Sequence, residues 1–235
     1  KFFKIPAFVN ALSNNFLVFM CLMGAIFLVP VFAQTFLGYT ATESGYLFIP
    51  MAFAMLAAAP LGGSLVGKVQ PRYVIFFSTL GAAFGIYLFS YIDPKSSSLD
   101  LIIPLAVMAT LLGGGMAQRT AIVAAVVPEN EIGIASAILA LVRNIAGAFG
   151  IALFGTLLNS SIKDNVLSIA SHSVIRSQDP MVIHQGIALI ELKAQVAAYA
   201  TVFETAGIIL FLGSFLALFM VVDMKKAAGA HVHVE

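Results

Sequence analysis

The stretch that decides the fold is GIASAILALVRNIAGAFGIALFGTLLN, from Gly133 to Asn159, in which Arg143 is the single charged residue. At about 1.5 Å of rise per residue, a helix of this length crosses a hydrocarbon core of ~30 Å with room to spare. The rest of the chain has the same character. Of 235 residues, 60% are hydrophobic and 10% charged, and the mean hydropathy is +1.01. A soluble domain carries roughly 25% charged residues, because its surface must stay wet. Twelve Lys and Arg with eleven Asp and Glu cannot cover such a surface, so the solvent must be lipid.

Working outward from Gly133–Asn159, five further apolar runs are long enough to cross: about 11–36, 45–67, 73–91, 101–126 and 197–222. The spacing therefore predicts an all-α integral membrane domain of six transmembrane helices over 1–226, followed by a tail, 227–235. The breaks are short and carry turn or cap residues, as in Gly38–Ser44, Lys68–Arg72, Asp93–Ser98 and Pro128–Glu131, so successive helices are antiparallel neighbours. Only 160–196 is a long connection. With Lys163, Asp164, Arg176, Asp179, Glu191 and Lys193 spread through it, it is too polar to cross and is expected as an outer loop. Lys1, Lys4, Lys68, Arg72, Arg119, Lys225 and Lys226 gather on the other side. That bias places both ends and the 227–235 tail in the cytoplasm.

Helices in lipid associate by close packing, which small residues four apart permit. Gly81 with Gly85, the row Ala54, Ala58 and Gly62, the pair Ala146 and Gly150, and the pair Ala148 and Ala152 have that spacing. Pro30, Pro50, Pro60 and Pro104 fall within runs, where a missing amide can bend a helix. Gly113-Gly114-Gly115 lacks the strand and Lys of a phosphate loop and is a flexible or close-packed point.

Several function classes are disfavoured. A net charge of +1 offers no face for nucleic acid. The one cysteine, Cys21, lies in an apolar run, so neither a disulfide within the chain nor a thiolate metal cluster is possible. The four histidines fall in expected loops or the tail, so neither a metal cluster nor a Ser-His relay can be drawn in the membrane. No metal, no cofactor and no enzymatic chemistry are expected. The chain begins with Lys1 rather than Met and is expected to be cut from something longer.

Three stretches carry a family resemblance. Gln34, Gly38-Tyr39, Gly45 and Pro50 stand across the first outer turn. Pro60-Leu61-Gly62-Gly63-Ser64-Leu65 runs into Lys68 and Pro71-Arg72. Ala135-Ser136-Ala137 leads through Arg143-Asn144-Ile145-Ala146-Gly147 to Gly150-Ile151-Ala152. Together they resemble the C-terminal half of a major facilitator superfamily permease, in its fourteen-helix drug:proton antiporter branch. The resemblance implies one half of a two-half bundle in the cell (plasma or inner) membrane, with the missing N-terminal helical half as partner. It also implies alternating access, export of drugs or other amphipathic small molecules, and a proton gradient as energy source. The family's loop motif G-x-L-x-D-x-x-G-R is matched here at Gly63 and Leu65, keeps the basic side in Lys68 and Arg72, and has Gly67 at the Asp position. Gly63, Lys68 and Arg72 are accordingly the expected cytoplasmic gate.

Arg143 lies about ten residues into its span, roughly 14 Å deep and too far to snorkel easily. An Arg at a helix centre costs ~2.5–3.5 kcal/mol on insertion scales, so it should meet a polar cavity or a partner rather than lipid. It could bind anionic groups or influence a proton site, or it could clamp backbone carbonyls. Glu204 is the acid furthest inside a span. It suits proton coupling, yet it is also close enough to the outer interface to stay hydrated. Arg143, Asn144, Asn14, Glu204 and Gln34 are the candidates for a substrate and coupling cavity, while Asn15, Gln118 and Arg119 are expected mainly to join helices. The alternative is a non-transporting or channel-like six-span module assembled with partners.

Overall fold

The computed structural model describes residues 2–172 and 180–220. Expectations placed on Lys1, Arg176, Asp179, Lys225, Lys226, His231, His233 and the 227–235 tail lie outside these residues. Among the described residues all regular elements are helical: α1 (Pro6–Phe36), α2 (Ala41–Tyr46), α3 (Phe48–Ser64), α4 (Pro71–Leu88), α5 (Ser98–Ala125), α6 (Ile132–His172) and α7 (Pro180–Leu216), with short 3-10 turns between them. With α2 and α3 forming one span over Ala41–Ser64, six segments are long and apolar enough to cross a membrane.

Local chemistry sets the boundaries. Pro6 and Pro71 occupy the first helical positions of α1 and α4, where a missing N–H costs nothing. Thr40 with Glu43 and Ser97 with Asp100 form capping boxes that start α2 and α5. The interruption at Leu47 follows from Pro50. Its ring has no hydrogen to give the carbonyl of Tyr46, four residues back, and clashes with it. α2 accordingly ends at Tyr46. Pro30 and Pro60 are accommodated inside α1 and α3.

Within the connection 160–196, the described residues 160–172 and 180–196 are helical rather than the loop expected from their polarity. α6 continues to His172 and α7 begins at Pro180, so His172 and His184 are helical residues. At 41 residues α6 is ~60 Å long, about twice a hydrocarbon core. Polarity excludes a segment from lipid but does not stop a helix. Ile162, Asn165, Val166 and Ile169 recur at helical spacing as the half-buried face, and Asn165 Nδ2 donates to the carbonyl of Ala194 at 3.3 Å. Residues 160–172 and 180–196 are thus helical extensions of two crossings.

The helices approach through small residues. A Cβ at Gly62 would stand 1.9 Å from the carbonyl oxygen of Gly114, and one at Gly150 would stand 2.0 Å from that of Met20. Backbone cannot yield as a flexible side chain can, so these positions fix how closely α3 meets α5 and α1 meets α6. The triple glycine is therefore a close-packed point. Gly155, on the same helix as Gly150, has no neighbour within 4 Å. Gly150→Ala should accordingly destabilise the purified protein by about 1–3 kcal/mol through overpacking, whereas Gly155→Ala should be neutral or slightly stabilising. Thermal unfolding in detergent, followed by circular dichroism, checks the contrast.

Candidate functional site

Two apolar clusters fill the bundle. One includes Phe8, Leu12, Ile75, Ile122, Leu139 and Ala217; the other includes Val18, Ala82, Leu112, Ala146 and Leu210. On each of five helices the residues between the two clusters include polar ones: Asn14 and Asn15 on α1, Ser78 and Thr79 on α4, Gln118 and Arg119 on α5, Arg143 on α6, and Ser214 on α7. All but Arg143 are buried. A polar layer therefore divides the greasy interior.

Arg119 is its hub. The side chain is 1% exposed. Its Nε donates to Asn14 Oδ1 at 3.0 Å, and its Nη2 donates to Thr79 Oγ1 at 2.7 Å and Ser78 Oγ at 3.4 Å. Asn14 Nδ2 in turn donates to the carbonyl of Gly213 at 3.0 Å and to Thr79 Oγ1 at 3.4 Å. One guanidinium and one amide thus join α1, α4, α5 and α7. Helical side chains lean back over the preceding turn, and the turn before Arg119 carries Gly115. A Cβ there would stand 2.1 Å from Ser78 Oγ and 2.7 Å from Arg119 Nη1, so the missing side chain leaves room for the charge. Every acceptor these bonds give Arg119 is a neutral oxygen.

Arg119 does not belong to the basic surface with Lys68 and Arg72, where its nearness to a span end had put it. The signal for its real place was depth: polar residues on five apolar helices lie at matching levels, and antiparallel neighbours bring equal depths together. Gln118, beside it, points the other way, and its Nε2 donates to the Gly62 carbonyl at 3.3 Å.

Arg143 is half-buried. Its Nε donates to Asn15 Oδ1 at 3.4 Å, and its guanidinium carbon lies 5.1 Å from the centre of the Phe19 ring, a cation–π contact. Arg143 Nη2 and Asn15 Nδ2 are both buried atoms left without an acceptor. The other expected cavity residues are dispersed. Asn14 is enclosed between helices rather than open to a hollow, while Asn144 and Gln34 are exposed. Glu204 is also exposed. It lies ten residues before Ser214 on α7, ~15 Å along the helix from the polar layer.

At the expected gate, Gly63 has no neighbour within 4 Å, and Lys68 is exposed. Arg72 turns onto Tyr73, donating from Nη2 to the phenol oxygen at 3.0 Å with the guanidinium 4.7 Å from the ring centre. Gly67 has φ +79°, a left-handed conformation that costs a side chain dearly. The turn geometry suits the glycine found where the motif has its aspartate. The close packing expected from this stretch resides in Gly62, one residue away.

Losing one partner of a buried bond strands the other at ~1–3 kcal/mol, so Asn14 and Arg119 should be strongly coupled. A double-mutant cycle with Asn14→Ala and Arg119→Met, read by unfolding in detergent, should give an interaction energy of about 0.5–3 kcal/mol. Additive losses would remove the hub.

Six apolar helices around a charged, hydrogen-bonded layer define a multi-pass membrane protein. Residues 1–151 match the Major Facilitator Superfamily, and the chain belongs to that family. It is 29% identical over 158 residues to the multidrug transporter protein MdtP of Bacillus subtilis, covering 67% of this chain and 29% of that protein. With a triacylglyceride transporter of Mycolicibacterium smegmatis it shares 26% identity over 245 residues, 99% of this chain and 42% of the relative. The fold is similar to that of a bacterial homologue of the human lysosomal transporter Spinster. That match has a TM-score of 0.69 at 15% identity and covers 92% of this chain and 49% of the other. The chain spans less than half the length of each of these proteins.

Proposed function

We propose that this chain is the C-terminal half of a secondary transporter that exports amphipathic small molecules, with proton movement as the driving reaction. The observation that carries this is Arg143 with Asn15: a half-buried cation and a buried amide, set in an apolar bundle, with Arg143 Nη2 and Asn15 Nδ2 finding no acceptor among the described residues. A helix that only held its neighbours apart from lipid would have no use for donors that cost several kcal/mol when left unpaired. In this family a second six-helix half and a solvent-reached path between halves would supply what they lack. Names among the relatives support the cargo class, since MdtP is a multidrug transporter and a protein of Amycolatopsis lactamdurans at 30% identity is a cephamycin export protein. Family membership favours a transporter over a non-transporting module.

In this proposal the side bearing Lys68 and Arg72 is cytoplasmic, the side bearing Lys95 is external, and the two halves alternate in access around the polar layer. Cysteines introduced by Lys68→Cys and Lys95→Cys should react with an impermeant maleimide from opposite faces of the cell membrane. Cys21 is 0% exposed and should stay silent. The transport test uses the complete permease in proteoliposomes. Lipophilic cations or neutral drugs should drive proton movement, and Arg143→Ala should abolish it at unchanged expression. Normal flux by that variant would remove Arg143 from the mechanism.

A further inference from the structure

We propose that Asn15 and Arg143 form a carboxylate-binding subsite on the α1–α6 face; this rests on the transport function proposed above. The two residues bring two unused donors, Asn15 Nδ2 and Arg143 Nη2, to one place. Their relative orientation is fixed because the one acceptor they own, Asn15 Oδ1, is already taken by Arg143 Nε. Asn15 is 0% exposed, so bulk water does not satisfy its amide from this half. A neutral acceptor could complete the hydrogen bonds but would leave the charge. None of the hydrogen bonds that Arg143 or Arg119 makes among the described residues ends on a carboxylate, and Arg119 reaches α1 at Asn14, the residue next to Asn15. Two guanidinium groups thus share one polar layer, walled by apolar clusters, around one helix. Attraction to an anion there is far stronger than in water, and a carboxylate has two oxygens, enough for both donors.

The surroundings fit a carboxylate attached to something greasy. The Phe19 ring lies under the Arg143 guanidinium, and Phe16 meets Phe149 across α1 and α6 with ring centres 5.9 Å apart. A groove of about 330 Å³ is lined by Val9, Leu12, Ser13, Phe16 and Val142 among others and comes within one residue along each helix of Asn15 and Arg143, which do not themselves line it. Phe16 and Val142 are the sequence neighbours of the two donors. That volume lies at the small end of ligand sites, and suits an aromatic ring or short chain behind a carboxylate head.

The carboxylate can be carried by the cargo or by an acidic side chain of the other half, and two arms of one experiment separate these sources. In the first arm, 2-naphthoate and 2-naphthamide, alike in shape and different in charge, are titrated into the complete permease in nanodiscs. The carboxylate should bind at least tenfold more tightly, Arg143→Gln should erase the preference, and Arg143→Lys should keep part of it. In the second arm, Arg143→Cys is combined in turn with a cysteine at each intramembrane acid outside residues 1–235. Efficient bis-maleimide cross-linking at one of them, with no naphthoate preference, identifies a resident carboxylate and also supports the subsite. No preference and no cross-link, in protein that still moves protons when lipophilic cations are added, overturns the subsite while leaving the transport function standing. Loss of proton movement for every compound in the unmutated permease would instead sink the function on which the subsite rests.

Discussion

The rest of the structure depends on how a guanidinium is kept inside an apolar bundle without an ionic partner among the described residues. Arg119 achieves this with neutral oxygens alone, from Asn14, Ser78 and Thr79. Hydrogen bonds to a charged group contribute about 1.5–3 kcal/mol each, which together offset much of the cost of burying it. The condition is geometric: all three acceptors must converge from two other helices, and Gly115 must lack a side chain. The charge therefore specifies the mutual positions of α1, α4 and α5, and Asn14 extends that constraint to α7 through Gly213.

Glycine contacts make the constraint possible. Where Gly62 faces Gly114 and Gly150 faces Met20, backbone meets backbone; between α4 and α5 a Cβ on Gly85 would stand 3.0 Å from the Met108 nitrogen, an approach that lets the short Ser78 and Thr79 side chains reach Arg119. Close packing and the polar layer are thus one arrangement seen twice. Without small residues the helices would stand too far apart for these oxygens to reach a guanidinium, and without the polar layer the same helices could slide past one another with little penalty, since lipid supplies no hydrophobic drive to hold them.

Arg119 and Arg143 illustrate two outcomes for one residue type in one layer. The first gives three hydrogen bonds to α1 and α4 from Nε and Nη2, and these hold the helices together. The second sits at the edge of the layer, half-buried, with part of its capacity and that of Asn15 unused. Under the two-half transporter proposed above, such leftover donors would serve where the halves or their cargo meet. That contrast, more than the presence of an arginine in a membrane helix, is what the proposed role of Arg143 rests on.

The sequence by itself determined the six crossings and their antiparallel order and singled out Arg143 as an isolated charge, because apolar length and isolated charge are properties of single segments. It also contained the family pattern around Arg143 and Gly150. It did not show that 160–172 and 180–196 are helical, because polarity tells where a segment can be and not how its backbone is bonded. It did not show that Arg119 is enclosed while Asn144, its equal in polarity, is exposed. Which side of a helix faces a neighbour depends on the rotation of all six helices together, set by contacts such as Gly150 on Met20, and only the tertiary structure fixes that. The partner of Asn15 was likewise illegible, since 128 positions separate it from Arg143 and only packing brings them within reach.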